Sequence, residues 1–161
     1  MKRIFTLLFI IFIYSLSYAQ TVVDVTSPTP DGTFKIGGAI VIRVNFSANV
    51  TVTGIPQILL ETGAVDRNVN YVSGSGTATL VFNYVVQPGD ISGDLNYQST
   101  SALTLNGGTI STGSLGLPIL GNGALTDLAG TNAFVIDGIV PSFSSVIATP
   151  NTGTLRIGQS V

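Results

Sequence analysis

The sequence predicts an all-β protein, a sandwich of two antiparallel sheets joined by Greek-key links. Apolar and polar residues alternate with a period of two from Val23 to Ile136. Gly- and Pro-rich breaks cut that stretch into roughly eight or nine short runs, the spacing of a two-sheet β-protein. After the first nineteen residues no segment carries a helical period.

Residues 1–19 read as a signal peptide. Lys2 and Arg3 supply a basic start, Ile4 to Leu16 an apolar stretch, and Ser17-Tyr18-Ala19 a small-residue cleavage site before Gln20. That stretch falls short of the roughly 20 residues a membrane-spanning helix needs. No later run is long enough either, so the mature part is expected to hold no transmembrane segment. The chain is expected to be exported, to the cell surface or beyond.

Val23 and Val25 open the first strand, which Pro28, Pro30, Asp31 and Gly32 break. Ile40, Ile42, Val44 and Phe46 line one face of the next, with Arg43 and Asn45 pointing away. Val50 and Val52, Ile58 and Leu60, then Val69 and Tyr71 continue the alternation. The strongest strand places Ala78, Leu80, Phe82, Tyr84 and Val86 inward. Val81 and Val85 on its second face predict a central, well-covered position. Gln87-Pro88-Gly89-Asp90 has Pro and Gly in the order of a type II turn. Leu95 and Tyr97 point inward, Leu103 and Leu105 end at Asn106-Gly107-Gly108, and Phe134 and Ile136 form the last strand. Ser111 to Thr131 is too long for a structureless loop in a compact domain, so Leu117–Leu120 is expected to lie as an edge strand.

The opening of the mature chain then begins again. Gly32-Thr33-Phe34-Lys35-Ile36-Gly37-Gly38-Ala39-Ile40 returns as Gly153-Thr154-Leu155-Arg156-Ile157-Gly158-Gln159-Ser160-Val161, a shift of 121 residues (153 − 32). Gly32, Thr33, Ile36 and Gly37 are identical in both copies. A period of domain size indicates a tandem array. The expected organisation is signal peptide 1–19, one sandwich domain 20–138, and a linker with the truncated start of a second similar unit at 139–161. Residues 143–161, lacking partner strands, are expected to be disordered or loosely attached. The short Pro-containing junction predicts semi-rigid neighbours.

These residues resemble bacterial immunoglobulin-like repeats of large surface proteins and adhesins. The matching pieces are Thr33-Phe34-Lys35-Ile36-Gly37, Gln57-Ile58-Leu59-Leu60-Glu61, Tyr71-Val72-Ser73-Gly74-Ser75-Gly76 and Ala102 to Ile110. Asp127-Leu128-Ala129-Gly130-Thr131-Asn132-Ala133 is similar to the repeats' Asp-x-x-Gly-Asn-x-Ala signature, with Thr131 inserted. Val135-Ile136-Asp137-Gly138 followed by Pro141 resembles their unit junction. The resemblance implies an immunoglobulin-like Greek-key sandwich on an exported multi-unit protein, with no catalysis.

Composition narrows the chemistry. Without Lys2 and Arg3, four basic residues face eight acidic ones, a poor match to nucleic acid. The chain has no His and no Cys, which removes the usual nucleophilic triads, zinc ligands and disulfides. Carboxylate pairs remain, Glu61 with Asp66 or Asp90 with Asp94, and both sit at turns where carboxylates satisfy local N–H groups. No catalytic residue is therefore expected. Calcium is the one candidate cofactor. Asp137, Asp127 and Asp24 are its candidate ligands at the unit junction, and Asp90 with Asp94 a second set lacking the later Glu of a calcium loop. Tyr71, Tyr84 and Tyr97 lie on the apolar parity and are expected in the core, with hydrogen-bonded hydroxyls. The expected partners are neighbouring repeats of the same chain and host or surface glycans or proteins. The function expected is a structural and adhesive module. The alternatives are an accessory domain of a secreted polysaccharide-degrading enzyme, or a carbohydrate- or protein-binding module.

Overall fold

The computed structural model describes residues 20–120 and 126–142. Residues 1–19, expected to be a signal peptide, and residues 143–161, expected to start a second unit and to be disordered or loosely attached, lie outside the described residues. The regular structure of the described part is almost all β-strand. Its strands are β1 (Val22–Thr26), β2 (Gly32–Lys35), β3 (Ala39–Val50), β4 (Val52–Thr53), β5 (Gln57–Glu61), β6 (Arg67–Ser73), β7 (Thr77–Val85), β8 (Ile91–Ser92), β9 (Asn96–Tyr97), β10 (Leu103–Thr104), β11 (Thr109–Ile110) and β12 (Phe134–Asp137). A single turn of helix, α1 (Leu128–Thr131), precedes β12. No helix of the described residues is long and apolar enough to cross a membrane.

The longest strand, β3, is the spine of the domain. Its alternation buries Ile40, Ile42, Val44 and Phe46 and turns Arg43 outward. β7 pairs with it antiparallel, from Ala39 opposite Val85 to Asn45 opposite Thr79. The main sheet runs β1-β3-β7-β6-β5-β10, with β9 also on β5. β7 is central, as its pattern predicts. The cover expected on its second face is only partial: Val81 is half-buried and Val85 is 42% exposed. Two smaller sheets complete the domain, β11-β4 and β2-β12-β8. One buried cluster joins strands of all three sheets with Leu117 and Leu128. Phe34 and Phe134 meet edge to face within it, ring centres 5.6 Å apart.

Four expectations change. β2 and β12 pair in parallel, Gly32 opposite Phe134 through Lys35 opposite Asp137, so the sheets are not uniformly antiparallel. Val23 is 50% exposed although Val25 is fully buried. Val22 faces Phe46 and Asp24 faces Asn45, so two steps along β1 match one along β3. Val23 is the extra residue of that bulge, and the bulge reverses its side. Residues 117–120 form no strand. Leu117 is buried and its N–H donates to the Thr100 carbonyl at 2.9 Å, but Ile119 is 66% exposed, so the alternation fails there. Finally, α1 interrupts a segment with no helical period. One turn is too short to show a period, and its only sequence signal is the capping Asp127.

The ends of the domain are set by β3. Ser47 N–H donates to the Thr21 carbonyl at one end of that strand. At the other, Gly37 N–H and the Gly38 carbonyl bond the backbone of Val86, and Gly89 N–H bonds Gly138. From Ala39 to Ser47 an extended strand spans about 26 Å at ~3.3 Å per residue. The chain therefore comes in at one end of the domain and leaves at the opposite end.

Candidate functional site

The outgoing end is organised around Asp90. Its side chain is fully buried, directly after the Gln87-Pro88-Gly89 turn that Gly89 makes possible with a φ of 90°. Arg67 Nε donates to Oδ1 at 2.7 Å. Tyr84 Oη donates to Oδ2 at 2.8 Å, and Gln87 N–H donates to the same oxygen at 2.9 Å. The carboxylate thus ties β6, β7 and the following turn together. Burial first, then the bond to Asp90 and its negative charge, push the Tyr84 phenol well above its ordinary pKa of 10.0. No buried side-chain polar atom among the described residues lacks a partner.

The backbone of the same turn holds the outgoing chain. Gly138 N–H donates to the Asp90 carbonyl at 2.7 Å, and Gly89 N–H to the Gly138 carbonyl at 2.8 Å. A Cβ on Gly138 would lie 2.4 Å from the Gln87 carbonyl oxygen and 2.5 Å from that of Asp90. Only glycine allows so close an approach. Beyond this clamp a groove of about 470 Å³ is lined by Lys35, Ile36, Asp137, Ile139 and Pro141.

The carboxylates proposed for calcium take separate places. Asp90 has its oxygens occupied by three donors, one a guanidinium. Asp94 is exposed on the β8–β9 turn. Asp24 accepts from Asn45 Nδ2. Asp127 is buried, capping α1 through Gly130 N–H at 3.1 Å and accepting from Asn96 Nδ2 at 2.9 Å. Asp127 also helps raise the Tyr97 phenol, after burial as the main cause. Asp137 stands at the far end of β12, and its Oδ1 accepts weakly from Ile139 N–H at 3.4 Å. Among the described residues no three acidic side chains converge on one point. Glu61 and Asp66 accept from Gly63 N–H and Thr62 N–H, both within their own turn.

Sequence reasoning missed one further surface. A groove of about 210 Å³ crosses the open face of β6 and β7, lined by Asn68, Asn70, Asn83 and Gln87. Gln57 Nε2 donates to Asn70 Oδ1 at 2.8 Å, whereas the side chains of Asn68 and Asn83, whose backbones pair with Leu59 and Val41, form no hydrogen bond among the described residues. Asparagine is disfavoured inside strands, and that penalty was the available signal. Two of the three tyrosines sit in the core as expected, whereas Tyr71 is only partly buried against it. Tyr84 and Tyr97 are buried, the Tyr97 hydroxyl donates to the Pro118 carbonyl at 2.6 Å, and Tyr71 Oη accepts from Ser75 N–H.

No protein-family model, curated protein or solved structure matches this chain.

Proposed function

We propose that the chain is a non-catalytic, immunoglobulin-like unit of an exported multi-repeat protein, a spacer that carries adhesive domains or contacts away from the cell. The observation that supports this most is the direction of the chain. It enters beside Ser47 and leaves at Gly138, at opposite ends of β3, and a second copy of its opening residues follows. Units joined in that way stack head to tail and gain length with each copy. Domain termini more often lie close together, so the arrangement favours a rung over an inserted domain.

The immunoglobulin-like Greek-key sandwich fits the first strands. β1 pairs with β3 in the main sheet, and the chain then crosses to place β2 beside β12 in another. Strands that switch sheets in this way close the corner of a sandwich. The lack of His and Cys, and the full pairing of Asp90, give the unit no obvious acid–base or nucleophilic group. The test is the gene downstream of codon 161. Further copies about every 121 residues are expected; a single unit, or a catalytic domain directly after it, would overturn the reading.

The amide-lined groove favours a second reading, a glycan-contacting module. Paired amide donors and acceptors match sugar hydroxyls, and the neighbouring Arg67 is already neutralised by Asp90. Screening the chain on a glycan array tests it. Binding lost in Asn68→Ala/Asn83→Ala is expected, and absence of binding at millimolar glycan rejects it.

A further inference from the structure

The incoming and outgoing arms of the unit, residues 20–35 and 126–138, are bonded to each other along one line. Val25 N–H donates to the Thr126 carbonyl at 2.8 Å. Ser27 N–H donates to Asn132 Oδ1 at 3.0 Å, and Asn132 Nδ2 returns a bond to the Ser27 carbonyl. Asp31 Oδ1 accepts from Ala133 N–H at 3.0 Å and from Asn132 Nδ2 at 3.3 Å. Gly32 N–H then reaches the Ala133 carbonyl, and the parallel ladder runs on from Gly32 opposite Phe134 to Lys35 opposite Asp137. β8 holds the other side of β12, and the backbone bonds of Gly138 hold its end.

We infer that this seam is a tension-bearing lock, the element that sets how strong a pull the unit withstands. β2 and β12 run parallel, both from the inlet end toward the outlet end. Tension draws β2 back toward the inlet and β12 forward through the outlet. The two strands are therefore dragged past each other along their own axes. Ladder bonds run between strands at even spacing, so every pair takes the strain at once. Had β12 run antiparallel to β2, tension would have opened the pairs one after another. The Asn132 and Asp31 side chains lengthen the lock, because the same slip must break their bonds together with the ladder. Forced unfolding follows the barrier rather than the equilibrium stability, so the direction of pull decides the outcome. The inference goes beyond the spacer reading and holds for one unit as for many.

The test is single-molecule force spectroscopy on the full chain, which has no Cys and so accepts handles at introduced cysteines. Thr21→Cys/Ile139→Cys pulls the two ends apart. Ile36→Cys/Ile139→Cys pulls both strands at the outlet end, where the pairs peel one by one. Thr21, Ile36 and Ile139 are all exposed, so the handles disturb no core. The Gly138 bonds are strained in both geometries, so the difference reports the seam. At one loading rate the end-to-end rupture force should be at least about twice the peeling force. Asn132→Ala should lower the end-to-end force and leave the peeling force unchanged, because peeling starts at the far end of β12 from Asn132. An Asn132 that only supports the fold would weaken both alike. Equal forces in the two geometries overturn the inference, as does an Asn132→Ala chain that loses equally in both or in neither. Where Asn132→Ala fails to fold, the comparison of the two geometries with Asn132 intact decides.

Discussion

Replacing Asp90 with Asn changes one atom and removes one charge, yet it should cost about 3 kcal/mol. The carboxylate receives three donors: Arg67 Nε on Oδ1, Tyr84 Oη and Gln87 N–H on Oδ2. An amide has only one acceptor oxygen. If that oxygen takes the Oδ2 place, the NH₂ group faces Arg67, donor against donor. If it takes the Oδ1 place, NH₂ faces Gln87 N–H, and only the Tyr84 hydroxyl can turn to accept. Hydrogen bonds to charged groups contribute about 1.5–3 kcal/mol each, and a buried group left unpaired costs about 1–3 kcal/mol. Arg67 is 24% exposed and can partly rehydrate, which discounts its share and keeps the sum near 3 rather than 5 kcal/mol. For a domain of this size that corresponds to a fall of roughly 12 °C in melting midpoint. The chain has no Trp, so urea unfolding followed by far-ultraviolet circular dichroism is the suitable assay. Arg67→Met should cost a similar amount, because it strands a fully buried carboxylate. The double variant should lose at least about 1.5 kcal/mol less than the two single losses combined. A loss under about 1 kcal/mol for Asp90→Asn, or a coupling below about 0.5 kcal/mol, would refute the clamp.

Gly138→Ala should destabilise by about 2–4 kcal/mol, since its Cβ would press on two carbonyl oxygens of the same clamp; a change under 1 kcal/mol in urea titration would show that the turn yields. Alkaline stability should fall above pH 10. The Tyr84 and Tyr97 phenols are raised in the folded state, so their contribution is complete below the unfolded value of 10.0 and declines above it, where only the unfolded chain ionises. Each tyrosine should add up to about 1.4 kcal/mol per pH unit, and Tyr97→Phe should remove one such share; a flat profile to pH 12 would contradict the burial of both. Val25→Thr should cost at least about 1.5 kcal/mol and Val23→Thr under about 0.5 kcal/mol, and equal losses would place the bulge elsewhere. Millimolar calcium should shift the melting midpoint by less than 1 °C, because Asp24, Asp90 and Asp127 are committed to internal bonds. A rise of several degrees that vanishes in Asp137→Asn would locate a site at the junction.

The inward faces of β3 and β7 were legible because alternation is a local property: a strand with one buried side must repeat every second residue. The same logic marked the Pro88-Gly89 turn and the inward Tyr97. It failed at Val23, where one bulge residue inverts the parity, and at 117–120, where apolar composition continued without pairing. The candidate site was barely legible. Asp90 stood out only as one half of a spacing pattern with Asp94, and nothing local ties it to Arg67, 23 residues away in the chain. Gly138 read only as part of a short, semi-rigid junction, whereas the structure packs it against two carbonyl oxygens of the preceding turn.

By itself, then, the order of residues determined which side chains face inward, where most turns fall, and that the stretch 32–40 recurs at 153–161. Folding in three dimensions decided the rest: the parallel pairing of β2 with the last strand, β12, the burial of one carboxylate among three donors, and the outlet of the chain opposite its inlet. Alternation is written into neighbours along the backbone, so it survives in a string of letters. Register between distant strands depends on how whole faces fit together, and no short stretch of sequence contains that information.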